Sequence, residues 1–249
     1  MNVTASTVAW VRRAKPLLGT IVEVGALGQH ARVEDAVRGA FEAVADIQAQ
    51  LSRFEPASDI TRFHATPSGT SIAIGKHAGT VLMAAQTLRD ASGGIFDITL
   101  GTAPGGWHCE GSQLHKLGDN VRLDLGGIAK GYAVDHAVDA LMSSGCEAGW
   151  VNAGGDVRVF GDTDLPLSLR DEHAGGVRQF AKLRDGAFAT SHFDRGSRSH
   201  AFAPIPVKAH ASVAAPLCLW ADALTKVVAI SGNTAHPLLA RYGAQAWLH

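Results

Sequence analysis

The chain has 249 residues, 46% of them hydrophobic and 18% charged, so it can form a sizeable core and is not an intrinsically disordered protein. Its formal net charge of −1 leaves no basic surplus for binding nucleic acid through the phosphate backbone. No apolar run approaches the roughly 18 residues of a membrane-spanning helix, and the first residues lack the apolar stretch of a signal peptide.

The first half of the chain predicts strands that alternate with helices. Residues 19–25 are rich in β-branched residues and flanked by glycine, which is typical of a strand. Apolar residues at steps of three and four predict an amphipathic helix from Val33 to Leu51. In the polar loop that follows, Ser58 or Asp59 can cap a short helix. The other elements predicted here are a strand at 71–74, a helix at 80–90, a strand at 121–125 and a helix at 130–142.

The second half of the chain is richer in strands. The predicted elements are strands at 149–152, 157–160, 165–169, 180–183 and 187–190, a loop at 192–211, a helix at 219–231 and a strand at 242–248. This mixture predicts an α/β (α+β mixed) fold, with a mixed β-sheet core flanked by helices. Since no linker-like segment interrupts the chain, residues 1–249 are expected to form one domain, with room for two lobes.

The first candidate site is the segment Asp124–Gly131, in which a predicted strand runs into the Gly126-Gly127 turn and the start of a helix. The free N–H groups and partial positive charge of a helix N-terminus suit a phosphate, and Lys130 adds a full positive charge. The spacing is not that of a Walker A loop. From these residues alone, a phosphate site and a tight turn that packs the helix on the strand both remain open.

The second candidate site is the segment Asn152–Asp156, where Gly154-Gly155 interrupts a predicted strand. A glycine pair at such a place indicates a β-bulge or the close approach of another molecule. Asn152 and Asp156 could hydrogen-bond to that molecule. A plain bulge explains the glycines equally well.

The third candidate site is a polar trio in a largely apolar helix. Asp222, Thr225 and Lys226 stand at i, i+3 and i+4, so they share one helix face. Carboxylate and hydroxyl oxygens are hard ligands that suit Mg²⁺. Lys226 favours the alternative of a solvated ion pair, because its ammonium competes with a metal ion for Asp222.

The fourth candidate site combines Thr190-Ser191 with His200, which stands in a polar loop. A histidine in such a loop can act as a base near neutral pH. The chain has 12 histidines, so the position of one of them is weak support for a catalytic role.

Taken in order, these segments resemble the ApbE family, the FAD:protein FMN transferases. The matching segments are Leu17–Thr20, Ser52–Phe63, Gly93–Thr99, Asp124–Asp135, Val151–Asp156, Ala189–Ser191, His200 and Ala221–Leu224. Each segment is short, but their occurrence in the family's order over nearly the whole chain makes the resemblance specific.

The resemblance implies a single ApbE-like domain that binds FAD, with Mg²⁺ at the diphosphate, and moves FMN to a Ser or Thr hydroxyl of an acceptor protein with release of AMP. It also implies that His200 and Asp222 are catalytic, with His200 taking the proton of the attacking hydroxyl. The metal is then expected to face the Ala129 carbonyl and Asp222, with Thr225 and Lys226 beside them. The residues implied for cofactor binding are Leu18, Gly19, Thr20, Phe54, Ser58, Asp59, Phe96, Asp97, Thr99, Gly127, Ile128, Lys130, Asn152, Gly154, Gly155, Asp156, Thr190, Ser191 and His200.

The chain departs from the family pattern next to the expected metal site. The family's threonine four residues after the metal-binding aspartate is Lys226 here, and Thr225 is one position early, a rotation of about 100° on a helix. Either Thr225 reaches the metal differently, or the Lys226 ammonium substitutes for part of the cation's role. The family's His-x-x-Asp-Pro is His200-Ala-Phe-Ala-Pro204 here, so an acidic residue is missing.

Three functions follow from the resemblance and its departures: an FMN transferase, an FAD-binding protein without transferase activity, and an FAD pyrophosphatase that gives FMN and AMP. The expected partners are FAD and an acceptor protein, with no nucleic acid and no membrane span, and the oligomeric state is not predicted. Because no signal peptide or lipobox is seen, a cytoplasmic location is expected, or a periplasmic one if a leader has been trimmed.

Overall fold

The computed structural model describes residues 8–170, 176–193 and 210–249. Its strands are β1 (Val8–Leu17), β2 (Thr20–Gln29), β3 (Thr70–Ala73), β4 (Trp107–Glu110), β5 (Gln113–Lys116), β6 (Ala148–Ala153), β7 (Asp156–Phe160), β8 (Leu165–Arg170), β9 (Val177–Leu183), β10 (Gly186–Ser191), β11 (Ala211–Ala215) and β12 (Gln245–Leu248). Its helices are α1 (His30–Leu51), α2 (Asp59–Ala65), α3 (Lys76–Ala91), α4 (Ala129–Ser143), α5 (Cys218–Ser231) and α6 (Pro237–Arg241).

Within these ranges the largest sheet has seven strands, in the order β1-β2-β6-β7-β10-β11-β12. On one face α1, α4 and α5 pack side by side, with α5 against β10 and β11. Val37, Phe41 and Val44 are among the buried residues of α1, which confirms the predicted amphipathic helix. None of the helices in the described ranges has the length and apolar character needed to cross a bilayer.

The β8–β9 hairpin covers part of the other face of this sheet. Val157 and Val159 of β7 form an apolar cluster with Leu167 and Leu169 of β8 and Phe188 of β10. Side chains along a strand point alternately to the two faces, so these residues of β7 face away from the helices. Strands β7 and β10 therefore lie between helices on one side and the β8–β9 hairpin on the other.

The predicted class, a β-sheet core flanked by helices, is confirmed. The expected mixture of strand directions is not found, because every pairing among the described strands is antiparallel. Two-residue turns at Leu18-Gly19 and Gly154-Gly155 join β1 to β2 and β6 to β7, and such short turns connect only antiparallel neighbours.

Residues 121–125 were predicted as a strand but form none. The N–H of Leu123 donates to Nε2 of His64 at 2.9 Å, and the N–H of Asp124 donates to the carbonyl of Ile98 at 2.7 Å. A side chain and a loop carbonyl thus accept hydrogen bonds that a strand would give to its neighbour. The apolar alternation of this segment reflects burial rather than sheet pairing.

Several elements were not predicted from the sequence. They are β1, β4, β5, β11 and α6. β4 and β5 contain polar and charged residues in place of a run of β-branched ones, and β1 is an edge strand whose charged residues face solvent.

Candidate functional site

The candidate site is centred on Asp222, at the crossing of α4 and α5. Asp222 is completely buried, and its Oδ2 accepts a hydrogen bond from the backbone N–H of Gly131 at 3.3 Å. That N–H belongs to the first turn of α4, where the donors lack partners within the helix and the helix dipole is positive. The start of α4 therefore stabilises a negative charge on Asp222.

Two lysines contact the same carboxylate. Nζ of Lys226 pairs with Oδ1 of Asp222 and donates to its backbone carbonyl at 2.9 Å. Nζ of Lys130 lies 3.7 Å from Oδ2 of Asp222 and pairs with Asp156. Burial alone raises the pKa of Asp222, but the two ammonium groups and the Gly131 N–H more than offset this, so the pKa is lowered. Asp222, Lys226, Lys130 and Asp156 form a four-charge group, the Asp222 cluster.

Thr225 is held away from a ligand role by its own helix. Its Oγ1 donates to the backbone carbonyl of Asp222 at 2.6 Å, and its other contact is Oγ of Ser191, also at 2.6 Å. Both hydroxyl groups are buried. Thr225 stands one position before the threonine of the family pattern, and its side chain forms a hydrogen bond between α5 and β10 instead of facing a metal.

The second candidate segment forms the turn between β6 and β7. Gly154 and Gly155 have φ angles of +66° and +104°, which favour glycine. Oδ1 of Asn152 accepts the N–H of Gly155 at 2.9 Å, and a Cβ at Gly154 would lie 3.1 Å from Cβ of Thr20. The structure thus brings the Leu18–Thr20 turn against Gly154-Gly155. The next residue, Asp156, contacts Lys130.

A cavity of about 400 Å³ opens beside this turn. It is lined by Arg12, Glu23, Trp150, Asn152, Gly154, Gly155, Val157, Leu165, Pro166, Leu167, Ser168, Leu169, Phe188, Thr190 and His192. Four of the predicted cofactor-binding residues, on β6, β10 and the turn after β6, are in that lining. Arg12, Glu23 and Trp150 were missed, because β1 was not predicted and only the sheet places these residues together.

A second cavity, of about 220 Å³, is lined in part by the segment that precedes α4. Its lining residues are Arg53, Phe54, His64, Thr99, Leu100, Thr102, Arg122, Leu123 and Asp124. Phe54 is 79% exposed and its ring is 4.6 Å from the Arg53 guanidinium, which in turn lies 3.4 Å from Asp124. The predicted residues Phe54 and Thr99 therefore share a basic, partly aromatic pocket.

Other predicted cofactor-binding residues make local structural contacts. Ser58 caps α2, with its Oγ accepting the N–H of Thr61 at 3.0 Å, and the Asp59 carboxylate accepts the N–H of Gly75 at 2.8 Å. Asp97 accepts both the N–H and the hydroxyl of Thr99.

Ala129, whose carbonyl was predicted to face the metal, is the first residue of α4. The remaining predicted cofactor-binding positions are of two kinds. Phe96 and Ile128 are core residues, and Gly127 is also buried. His200 lies outside the described residues, so its catalytic role stays a prediction.

The residues around Asp222 do not fit a divalent metal ion. Both carboxylate oxygens already face positive groups, Lys226 on one side and Lys130 with the Gly131 N–H on the other. Thr225 gives its proton to the helix backbone. Across the described ranges, no group of three or more histidine, cysteine, aspartate or glutamate side chains could hold a metal.

Asp135 locks α4 to α5 and so fixes the geometry of the site. Its two carboxylate oxygens accept the N–H groups of Cys218 and Leu219, at 2.9 and 2.8 Å, which are the first two residues of α5. Arg158 lies 3.2 Å from the same carboxylate. Burial raises the pKa of Asp135 to about 6, although the two N–H groups and Arg158 act against it.

Asp135→Asn is expected to change the pH dependence of stability. The folded-state pKa of about 6 lies above the ordinary 3.8, so the folded protein binds more protons and its unfolding free energy falls as pH rises between these values. The unfolding free energy of the wild type therefore falls by about 3 kcal/mol as the pH rises from 3.8 to about 6. The Asn variant lacks this group, so this contribution to its pH dependence is absent. Urea unfolding of both proteins from pH 4 to 7 tests this, and parallel curves would contradict it.

Comparison with known proteins gives one family. The model of the ApbE family matches residues 18–116 and 106–248. A FAD:protein FMN transferase of Vibrio cholerae serotype O1 is 26% identical over 181 residues, covering 59% of this chain and 54% of the relative. A FAD:protein FMN transferase of Rhodobacter capsulatus is 38% identical over 95 residues, which cover 34% of this chain and 18% of that protein. The matches thus span about half of the first relative's length and about a fifth of the second's.

Solved structures show the same fold. The flavin transferase ApbE of Vibrio cholerae has a TM-score of 0.82 at 20% identity, with 97% of this chain and 94% of that chain covered. The apo form of the Pseudomonas stutzeri flavinyl transferase ApbE has a TM-score of 0.78 at 21% identity, with coverage of 100% and 92%. At such low identity the likeness concerns the architecture of the sheet and its helices.

Proposed function

The chain belongs to the ApbE family, and we propose that it is an FAD:protein FMN transferase that moves FMN from FAD to a Ser or Thr hydroxyl of an acceptor protein, with release of AMP. The observation that carries this proposal is the convergence at one place of the Leu18–Thr20 turn, the Gly154-Gly155 turn, the start of α4 and Asp222. The two relatives named above as FAD:protein FMN transferases support the same activity. We propose that one domain contains all of these parts.

In the proposed reaction the acceptor hydroxyl oxygen attacks the phosphorus of the FMN half of FAD. A new P–O bond joins FMN to the acceptor, and the P–O bond to the AMP half breaks. AMP leaves with the electron pair of that bond, and the hydroxyl proton goes to a base. By resemblance we assign that base to His200.

The start of α4 suits the diphosphate of FAD. The N–H groups of Ala129 and Gly131 already donate to the Leu125 carbonyl and to Asp222, so the helix dipole and the Lys130 ammonium are the groups that attract a phosphate. The Lys130 side chain is 21% exposed. Asp156 and Asp222, both buried, fix the Lys130 ammonium from the protein side. Preorganised positive charge of this kind stabilises the charge that develops on leaving AMP.

The resemblance also predicts Mg²⁺ at the diphosphate, whereas the groups in contact with Asp222 oppose a divalent ion there. Mg²⁺, when bound by a flavin transferase, would supply positive charge to the phosphates. None of the steps above depends on it. Measuring FMN transfer in the presence of EDTA distinguishes a reaction that needs Mg²⁺ from one that does not.

The test is to incubate the full chain with FAD and an acceptor protein bearing a candidate Ser or Thr, and to analyse the mixture by mass spectrometry and for AMP. A covalent FMN adduct formed together with AMP is expected. The matched control is the same acceptor with its Thr replaced by Val, which should remain unmodified because it offers no hydroxyl.

The other outcomes identify the alternatives. FMN and AMP without an adduct would mean that the protein is an FAD pyrophosphatase. FAD that binds but remains intact would mean an FAD-binding protein without transferase activity. Failure to bind FAD at saturating concentration would refute the proposal.

A further inference from the structure

Lys226 is a buried lysine inside the functional site. Its side chain is 3% exposed, and the carboxylate it contacts is 1% exposed. A buried ammonium persists only when it is paired and hydrogen-bonded, and Lys226 meets this condition through Oδ1 and the backbone carbonyl of Asp222. The Asp222–Lys226 pair is therefore a buried, hydrogen-bonded ion pair and not the solvated ion pair that the sequence left open.

Counted over the described residues, the Asp222 cluster is electrically balanced without a metal ion. It contains two carboxylates, Asp156 and Asp222, and two ammonium groups, Lys130 and Lys226. A divalent cation at Asp222 would stand beside the Lys226 ammonium, in a place with little solvent to screen the repulsion. Without Lys226, the cluster would have a net negative charge and an open carboxylate oxygen.

We infer that the Lys226 ammonium is the fixed cation of this site and that the chain binds the diphosphate of FAD without a divalent metal ion at Asp222. For its substrate the inference rests on the proposed function. Lys226 acts from behind the carboxylate as a positioning residue. It offsets the charge of Asp222, which would otherwise compete more strongly with the phosphates for Lys130 and for the α4 N-terminus.

Metal binding by the protein without FAD is the first test. The wild type is expected to show no Mg²⁺ binding by calorimetry and no change in Tm on adding MgCl₂. Lys226→Thr frees Oδ1 of Asp222 and adds a hydroxyl, so Mg²⁺ is expected to bind at least about tenfold more tightly than to the wild type. Mg²⁺ binding by the wild type that is lost in Asp222→Asn would overturn the inference.

FAD binding in EDTA and in MgCl₂ is the second test. Quenching of FAD fluorescence by the wild type should give the same Kd in both buffers. Lys226→Thr should bind FAD about tenfold more weakly in EDTA and regain affinity in MgCl₂. A wild-type Kd that rises tenfold in EDTA would contradict the inference.

Two controls separate the charge of Lys226 from its size. Lys226→Met keeps the length and apolar stem of the side chain, so it should weaken FAD binding in both buffers if the ammonium matters. Lys116→Met removes another buried lysine, one that donates to the carbonyls of His64 and Thr66 at 3.0 and 2.8 Å. That variant should gain no response to Mg²⁺, and a gain equal to that of Lys226→Thr would overturn the inference.

Failure of the proposed function gives a different pattern. If no variant binds FAD in either buffer, the proposed function is wrong, and the Mg²⁺ measurements on the protein without FAD still decide for or against Lys226. If FAD binds but only in MgCl₂, the proposed function stands and the inference about Lys226 fails.

Discussion

Asp222→Ala is expected to lower the unfolding free energy by about 3–5 kcal/mol, because it leaves the buried Lys226 ammonium without its partner. The carboxylate also accepts the Gly131 N–H and attracts Lys130, so the variant loosens the start of α4 as well. FAD binding should weaken at least about tenfold, since the diphosphate depends on the position of Lys130. Urea unfolding and FAD titration give the two numbers.

A double-mutant cycle separates the Asp222–Lys226 pair from other effects of the substitution. Asp222→Asn keeps the size of the side chain but removes its charge, and Lys226→Met removes the opposite charge. The double variant should be more stable than the sum of the single changes predicts, with a coupling of roughly 0.5–3 kcal/mol. Additive losses would show that the two buried groups do not stabilise each other.

Gly131→Ala is expected to lower the unfolding free energy by about 2–3 kcal/mol, even though alanine is the better helix residue. A Cβ at this position would lie 2.6 Å from the carbonyl carbon of Cys218 and 2.9 Å from the backbone nitrogen of Leu219. Backbone atoms cannot rotate away as a flexible side chain can, so α4 and α5 must separate. The Gly131 N–H then moves away from Asp222, and FAD binding should fall together with stability.

Gly39→Ala is the matched control for this substitution. Gly39 is also inside a helix, and a Cβ there would meet no atom within 4 Å. The variant should therefore be more stable by up to about 1 kcal/mol, with unchanged FAD affinity. If both variants behaved alike in thermal unfolding, helix propensity rather than close approach would explain Gly131.

The sequence predicted the parts of the site that depend on local chemistry. The pattern of α1 and the cap at Ser58 are determined within a few residues, and both are present. The glycine pair Gly154-Gly155 also marked the right place, but it forms the turn between β6 and β7 and not the bulge that the sequence left open. The order of the motifs also indicated the ApbE family, which the family match over residues 18–116 and 106–248 confirms. These features need no information from distant parts of the chain.

Residues 121–125 show where local reasoning failed. Their alternating apolar pattern is that of a strand, but the partners that decide their conformation are His64 and Ile98, far away in sequence. Arg12 and Trp150, which line the larger cavity, come together only because β1, β2 and β6 are neighbours in the sheet.

What the sequence determined by itself was the set of chemical groups: glycine turns, a helix start with Lys130, and Asp222 with Thr225 and Lys226 on one helix face. What only the tertiary structure decided was how those groups are used. The spacing of Asp222 and Lys226 predicts an ion pair but does not show whether that pair is solvated or buried. The packing of α4 on α5 removes water from it, and burial converts a weak surface contact into a fixed charge at the centre of the site.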